Sequence, residues 1–397
     1  MLHVFFLFMF AMNTVLGGAE FFPGEWIRRD LHLAQFFVYY GEPEERVKTL
    51  QEILEDGCLT GDIKKVAWVI QKQREIGVSL ACLDVTKALE NLVISGLDHT
   101  LLQMPYFLDF FSIDERGCSH LIDVALEVGY PRTVDILHGW GFPLSDAQQK
   151  KWRQLREVLN EEPQAIPPVP INAHHHQAHG GEENFAFYAK EYRVSVSYAL
   201  YYMRKLPCDF RALLENLGHR RRRMAIQGKL KAAKFYGVAT DQLMITYYDP
   251  IYNLYGQRMR EKYPLLPFHV VGKLNAKEIL LTQCNADSWM HPDGEHREEI
   301  LNHVVELCKK VQQTEYPQEK ADTLAYDLGK IVWWMSHAPP FLRGTPTVMA
   351  ILMDAFWIYH NHTPSPKTVD FNCEALLYDK EEEFALYMQT LRRKQNL

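Results

Sequence analysis

Four residues with side chains suited to group-transfer chemistry lie within eleven positions, from 337 to 347. His337 supplies an imidazole, which is the most common general base in enzymes. Arg343 supplies a guanidinium that can bind a phosphate through two parallel hydrogen bonds. Thr345 and Thr347 follow it. A base beside a phosphate cradle is what a phosphoryl- or nucleotidyl-transfer site requires.

Two helices and a short loop must position these side chains. The apolar run from Ile331 predicts a helix that ends at His337, where Pro339 and Pro340 stop it. Gly344 allows a tight turn. Thr345 can then cap a second, strongly apolar helix, with Pro346 at its first position. The start of that helix is expected to bind an anion, because its amide groups and dipole favour negative charge. The phosphate ligands predicted from the sequence are Arg343, Gly344, Thr345 and Thr347.

This stretch resembles the motif of the Fic family, in which a helix is followed by His-Pro-Phe-x-(Asp/Glu)-Gly-Asn-Gly-Arg and a buried helix. His337 matches the catalytic base of that family, with two extra residues after it, and Pro340, Phe341 and Gly344 match in type and mutual spacing. The resemblance implies a helical domain that transfers AMP or a related group from a nucleotide donor to a protein hydroxyl.

The chain departs from that motif at four positions. Arg343 stands where the family has the acidic metal ligand, so the resemblance predicts no magnesium site and leaves the cofactor unidentified beyond a nucleotide donor. Thr345, Pro346 and Thr347 replace the Asn, the second Gly and the Arg. Three interpretations stay open: a metal-free transferase with Arg343 as the counter-charge, an inactive helical scaffold, or a proline-capped loop with a structural histidine.

A second basic feature lies before this motif, at Gly218–Arg223. Four successive arginines, Arg220, Arg221, Arg222 and Arg223, predict a basic helix in an otherwise acidic chain. Such a cluster is suited to an anionic ligand, a phosphoinositide or an acidic partner. The alternative is a helix face exposed to solvent, which is the usual fate of a run of charges.

A third cluster gathers two histidines and five acidic residues between positions 287 and 299. His291, His296 and Glu299 could form the site of an exported metal-dependent hydrolase, and Glu299 and His303 have the spacing of ligands on one helix. Capping of a helix by Asp293 is the interpretation that we favour.

The N-terminal half contains a pattern that repeats about every 34 residues. Gly61, Gly96 and Gly129 lie 35 and 33 residues apart, and each is placed to end one helix in the left-handed conformation before the next begins. Thr86 and Ser119, ten positions before two of these glycines, are predicted to cap the first helices. The segment is similar to ankyrin repeats in period and glycine position, which implies a surface for a partner protein. An irregular helical bundle is the alternative.

Length predicts two or three domains, and the helical patterns along the chain predict a mostly α-helical protein. There are 397 residues with a net charge of −7, which disfavours general nucleic-acid binding. We predict a signal peptide at 1–19, ankyrin-like repeats at 20–160, a Pro- and His-rich linker at 161–184 and a Fic-like domain at 185–397. Two short strands are expected at 243–248 and 268–271.

The apolar run 4–16, followed by small residues, indicates a secreted or exported protein, and a cytoplasmic protein is the alternative. Seven cysteines with no Cys-x-x-Cys pair indicate thiols rather than a disulfide framework or a zinc site. The leading functional prediction is an effector-like transferase that modifies a partner protein at a hydroxyl. The alternative is a non-catalytic adaptor, in which the repeats and the helical domain both bind partners.

Overall fold

The computed structural model describes residues 31–104, 113–160, 182–205, 207–228, 230, 233–239, 245–247, 257–258, 261–262, 268–275, 277–284, 288–291, 296–362 and 371–395. The predicted signal peptide and most of the predicted linker, with its histidines, lie outside these residues. Asp293 of the acidic cluster also lies outside them. Within the residues that the structure describes, no helix has the length and apolar character needed to cross a membrane.

The protein is mostly helical, which confirms the predicted fold class. The chain forms two compact units, one of residues 1–125 and 132–145 and the other of residues 126–131 and 146–397. The predicted repeat segment, 20–160, therefore extends past residue 145, where the first unit ends, and includes residues 126–131 of the second unit.

The first unit is built from helix pairs. Its elements are α1 (Leu31–Tyr40), α2 (Pro43–Thr60), α3 (Ile63–Glu75), a 3-10 turn at Leu80–Cys82, α4 (Val85–Ile94), α5 (Asp98–Leu101), most of α6 (Glu115–Val128) and most of α7 (Pro131–Gly139). Apolar side chains at three- and four-residue spacing form its core, among them Leu50, Ile53, Leu54, Val66, Val69, Ile70, Leu89 and Leu92.

Each of the three repeated glycines lies between the two helices of one pair, as the sequence predicts. Gly61, Gly96 and Gly129 have φ values of 72°, 58° and 80°, the left-handed region in which glycine carries no steric penalty. The predicted hydroxyl caps are wrong, because Thr86 and Ser119 lie inside α4 and α6. Aspartates occupy the capping positions instead.

The second unit contains the long C-terminal helices and a small sheet. Its helices are α8 (Asp146–Asn160), α9 (Glu182–Met203), α10 (Phe210–Gln227), α11 (Arg297–Gln313), α12 (Ala321–His337), α13 (Thr345–Tyr359), α14 (Phe371–Leu376) and α15 (Glu381–Gln395), with 3-10 turns at Ala233–Phe235 and Gln318–Lys320. Helix α9 begins inside the predicted linker. Helix α12 packs against α15, and α13 packs against α9 and α10. The core between them is rich in aromatic rings, including Trp333, Trp334, Phe356, Trp357 and Phe384.

Four antiparallel strands lie beside these helices. They are β1 (Ile245–Tyr247), β2 (Phe268–Leu274), β3 (Lys277–Cys284) and β4 (Ser288–Met290), in the order β1–β4–β3–β2. The predicted strands correspond to β1 and β2, whereas β3 and β4 were not predicted from the sequence. Two buried side chains of this region form hydrogen bonds with His337 at the end of α12. They are Thr282 of β3 and His291, which follows β4.

The aspartate caps lead to a stability prediction for the first unit. The Asp84 carboxylate accepts a hydrogen bond from the backbone N–H of Lys87, at 2.9 Å. We expect Asp84→Ala to lower the free energy of unfolding by about 1 kcal/mol, the usual contribution of such a cap. Urea unfolding followed by circular dichroism measures the change.

Thr86→Ala is the matched control, because Thr86 lies two residues further along, inside the helix. Alanine favours a helix more than threonine does, so this variant should be as stable as the parent or slightly more stable. Equal destabilisation by the two substitutions would contradict the assignment of the cap to Asp84.

Candidate functional site

The loop between α12 and α13 is held in place by backbone pairing with a distant segment. Helix α12 ends at His337, as predicted, and the loop runs from Ala338 to Gly344. The N–H of Leu342 donates to the carbonyl of Val238, and the N–H of Gly237 donates to the carbonyl of Arg343, both at 2.9 Å. Residues 338–344, the bend, therefore have a fixed backbone although they form no regular element.

Segment 236–239 is fixed in turn against α10. A Cβ added to Gly237 would lie 1.7 Å from the carbonyl oxygen of Gly218, so only glycine permits this approach. The guanidinium of Arg222 donates from Nε to the carbonyl of Tyr236, at 3.1 Å. Helix α10, segment 236–239 and the bend thus form one connected support.

Helix α13 begins in a way that differs from the prediction. Gly344 is its N-cap, in the left-handed conformation at φ 92°, and no side chain caps the helix. The predicted cap, Thr345, is the first helical residue, and its hydroxyl lies 3.5 Å from the carbonyl of Phe341. The start of α13 therefore has no side-chain oxygen that neutralises its partial positive charge.

His337 does not face the bend. Its side chain is fully buried, and its Nε2–H donates to the carbonyl of Tyr378 at 3.2 Å. Nδ1 then accepts from the hydroxyl of Thr282, at 2.9 Å. Burial lowers the pKa of His337 to about 3, so the ring is neutral in the folded protein. Neither ring nitrogen is left to accept a proton from a bound acceptor, and the structure gives no support to His337 as a base.

The other predicted site residues do come together. Arg343, Gly344, Thr345 and Thr347 line a cavity of about 320 Å³ at the bend. Arg343 is exposed at its rim, whereas both threonines are buried. The lining is completed by Arg221, Tyr236, His291, Met335, Ser336, Pro339, Phe341, Leu342, Pro346, Met349, Asn372, Cys373 and Leu376. No carboxylate appears among these described residues. We call this cavity the bend pocket.

Arg221 is the residue that the sequence analysis did not assign to this site. It is 4% exposed and lies in the cation–π range of two rings, at 4.4 Å from the centre of Tyr236 and 5.7 Å from that of Tyr188. Its Nε and Nη1 atoms are buried, and no described residue is their hydrogen-bond partner. Burial shifts the pKa of Arg221 downward, but an arginine keeps its charge in a protein. The bend pocket therefore contains a buried cation with unused donors.

Gly344 is what lets Arg221 reach this position. A Cβ added there would lie 2.7 Å from Cγ of Arg221 and 3.2 Å from the ring of Tyr236. The side chain of Arg221 thus lies against the backbone at the start of α13. The guanidinium and the helix N-terminus contribute positive potential to the same place.

The remaining arginines of the basic run have structural roles. Arg220 is 1% exposed and donates to Ser195 Oγ and to the carbonyls of Val128 and Gly129, whereas Arg223 forms an ion pair with Glu191 at 3.6 Å. The solvent-exposed helix face considered as an alternative is therefore wrong for these residues. The predicted anionic ligand at Arg220–Arg223 retains one candidate contact, Arg221.

The residues of the predicted metal cluster are not gathered into a metal site. His291 lines the bend pocket and donates from Nδ1 to the carbonyl of His337, at 3.1 Å. Burial lowers its pKa to about 4. His296 is the N-cap of α11, and Glu299 lies in the first turn of that helix. Over the described parts of the chain, no group of three His, Cys, Asp or Glu side chains is placed to hold a metal ion.

A larger cavity, of about 420 Å³, shares Met335 and Phe341 with the bend pocket. Its wall is mostly apolar, with four charged residues: Arg211, Glu215, Arg297 and Glu298. Arg211 and Glu298 are engaged with each other through two hydrogen bonds of 3.0 and 2.8 Å. We give more weight to the smaller bend pocket, because its lining contains two arginines and no carboxylate, whereas the larger cavity has two glutamates beside its two arginines.

Comparison with protein-family models gives no match, and comparison with curated proteins gives no significant match. The resemblance to the Fic family and to ankyrin repeats therefore stays a prediction from the motifs.

Buried histidines at this site predict a pH dependence of stability. In the unfolded chain the pKa of each histidine is near 6.5. In the folded protein, burial lowers the pKa of His337 to about 3 and that of His291 to about 4. The unfolded chain binds more protons between these values, so stability falls as the pH falls below about 6.5. The free energy of unfolding therefore decreases between pH 7 and pH 5, and we expect His337→Gln to make this decrease about 2 kcal/mol smaller.

Urea unfolding at several pH values measures this slope, which is independent of any constant loss of stability caused by the substitution. His269→Gln, at an exposed position of β2, is the control and should leave the slope unchanged. A variant of His337 with the parental slope would show that this imidazole is ionised or accessible in the folded protein.

Proposed function

We propose that the second unit binds a small phosphate-bearing ligand in the bend pocket. The observation that carries the proposal is the buried guanidinium of Arg221, which lines the pocket with two donor atoms that have no acceptor among the described residues. A buried charge without a partner costs several kcal/mol, and an anion placed beside it would offset that cost.

The other pocket residues favour phosphate over other anions. Arg343 adds a second guanidinium at the rim, and the start of α13 adds the positive end of a 15-residue helix. Guanidinium groups and helix N-termini are the usual protein ligands of phosphate oxygens. The buried hydroxyl of Thr347 lies 3.3 Å from the Tyr188 hydroxyl and can donate to the same oxygens when the tyrosine is the donor of that pair. The Thr345 hydroxyl already donates to the carbonyl of Phe341. Together these groups suit the two negative charges of a phosphate monoester.

The dimensions of the pocket restrict the ligand. About 320 Å³ is near the lower limit for small-molecule sites. A phosphate monoester with a small apolar or aromatic group fits this space, because Phe341, Tyr236 and Met349 supply apolar surface beside the cations. A larger nucleotide would place only its phosphate end inside.

This proposal retains the phosphate-binding half of the transferase prediction and assigns no proton transfer to His337. The buried, neutral His337 ring has both nitrogens engaged. The geometry therefore favours the non-catalytic alternative for the second unit, a ligand-binding scaffold. The partner protein of the repeat segment and the export of the chain stay predictions from the sequence.

Titration with phenyl phosphate tests the proposal. Isothermal titration calorimetry should show one site for phenyl phosphate and no binding of phenol, because the phosphate supplies the interaction. Arg221→Gln should weaken binding by roughly tenfold to a hundredfold, the range expected for a charge-assisted hydrogen bond. Arg343→Gln should weaken binding less, since Arg343 is exposed and water screens its charge.

Arg211→Gln is the matched control, because it removes the same charge from α10 outside the bend pocket. It should bind phenyl phosphate as the parent does. Equal binding by the Arg221→Gln variant, with its circular dichroism spectrum unchanged, would overturn the proposal.

A further inference from the structure

One cysteine differs from the other described cysteines in its surroundings. Cys58, Cys118, Cys208 and Cys308 are buried, and burial raises the pKa of the Cys58 and Cys208 thiols to about 12. Such thiols are inert, because the reactive form is the thiolate. Cys373 is half-buried and lines the bend pocket, whereas Cys82 is exposed in the first unit.

The charges that line the bend pocket beside Cys373 favour reaction with anions, and the adjacent Glu374 is engaged by Arg258 through two hydrogen bonds of 2.6 and 2.8 Å. Arg221 and Arg343 line the same cavity, and the described lining has no acidic side chain. The amide of Asn372 donates from Nδ2 to the Cys373 sulfur, at 3.6 Å. Positive charge near a thiol stabilises the thiolate and raises the local concentration of an anionic reagent.

We propose that Cys373 is a modification site for anionic disulfides and that its modification closes the bend pocket to phosphate. This inference rests on the proposed phosphate binding, and it adds a means of regulating that site. The chemical class is a disulfide that carries carboxylates, such as oxidised glutathione.

The reaction is a thiol–disulfide exchange. The Cys373 thiolate attacks one sulfur of the disulfide, a new S–S bond forms, and the original S–S bond breaks. The second half of the reagent leaves as a thiolate, which takes a proton from solvent. No net oxidant is needed beyond the disulfide itself. The carboxylates of the attached group then lie beside Arg221 and Arg343, where they compete with phosphate.

Competitive alkylation of the native protein tests this inference. The rates for anionic iodoacetate and neutral iodoacetamide are measured at Cys373 and Cys82 by peptide mass spectrometry. Cys82 is the internal control, because residues of both signs surround it, including Lys48, Lys87, Glu44 and Glu55. The iodoacetate-to-iodoacetamide ratio at Cys373 should exceed that at Cys82 by at least about tenfold. Saturating phenyl phosphate should protect Cys373 and leave Cys82 unchanged.

Two further measurements make the outcome decisive. Arg221→Gln should reduce the ratio at Cys373 toward that at Cys82. Oxidised glutathione should form a mixed disulfide at Cys373 that abolishes phenyl phosphate binding, which dithiothreitol restores. In the Cys373→Ser variant, treatment with oxidised glutathione should leave the measured affinity for phenyl phosphate unchanged.

The results separate this inference from the proposed function. Phenyl phosphate binding with equal reagent ratios at the two cysteines would overturn the role of Cys373 and leave the phosphate site standing. A selective Cys373 in a protein that binds no phenyl phosphate would overturn the phosphate site, and with it the regulation inferred here.

Discussion

The second unit contains a buried positive charge that its described residues do not neutralise with a carboxylate. Transfer of a guanidinium out of water costs several kcal/mol even after the surrounding protein relaxes. Two tyrosine rings lie beside Arg221, and each cation–π contact returns about 0.5–2 kcal/mol. These contacts fix the side chain but leave two of its donor atoms unsatisfied. The site is therefore set up electrostatically for an anion before any ligand arrives.

The backbone around Arg221 shows how that position is maintained. Gly344 leaves room for the arginine stem at the start of α13, and Gly237 brings segment 236–239 against α10. Backbone pairing then holds the bend to that segment. A cation on a mobile surface side chain would lose rotamer entropy on binding. Burial has already imposed that loss on Arg221, so an anion that enters the pocket meets preorganised donors.

Periodicity and proline placement predicted the helices on both sides of the bend, and with them the grouping of Arg343, Thr345 and Thr347. The orientation of His337 was missed, although Trp333 and Trp334 lie four and three residues before it and place it on an apolar face. The burial of the arginines could also be predicted from the sequence, since four successive helical residues span a full turn. The sequence does not predict which of these arginines lines a cavity, because that depends on Tyr236 and Gly344, which are distant in sequence. The short strands β3 and β4 depend on similarly distant pairing.

The charges that the site contains suit the binding of an anion more than acid–base chemistry. Acid–base catalysis is most efficient with a group that ionises near the working pH. The histidine in the bend pocket, His291, has a pKa of about 4 and uses Nδ1 to hold the backbone at the end of α12. His337 is sealed behind Thr282 and Tyr378. The arginines would attract and orient the proposed anion, and neither His291 nor His337 is suited to move a proton to or from it at neutral pH.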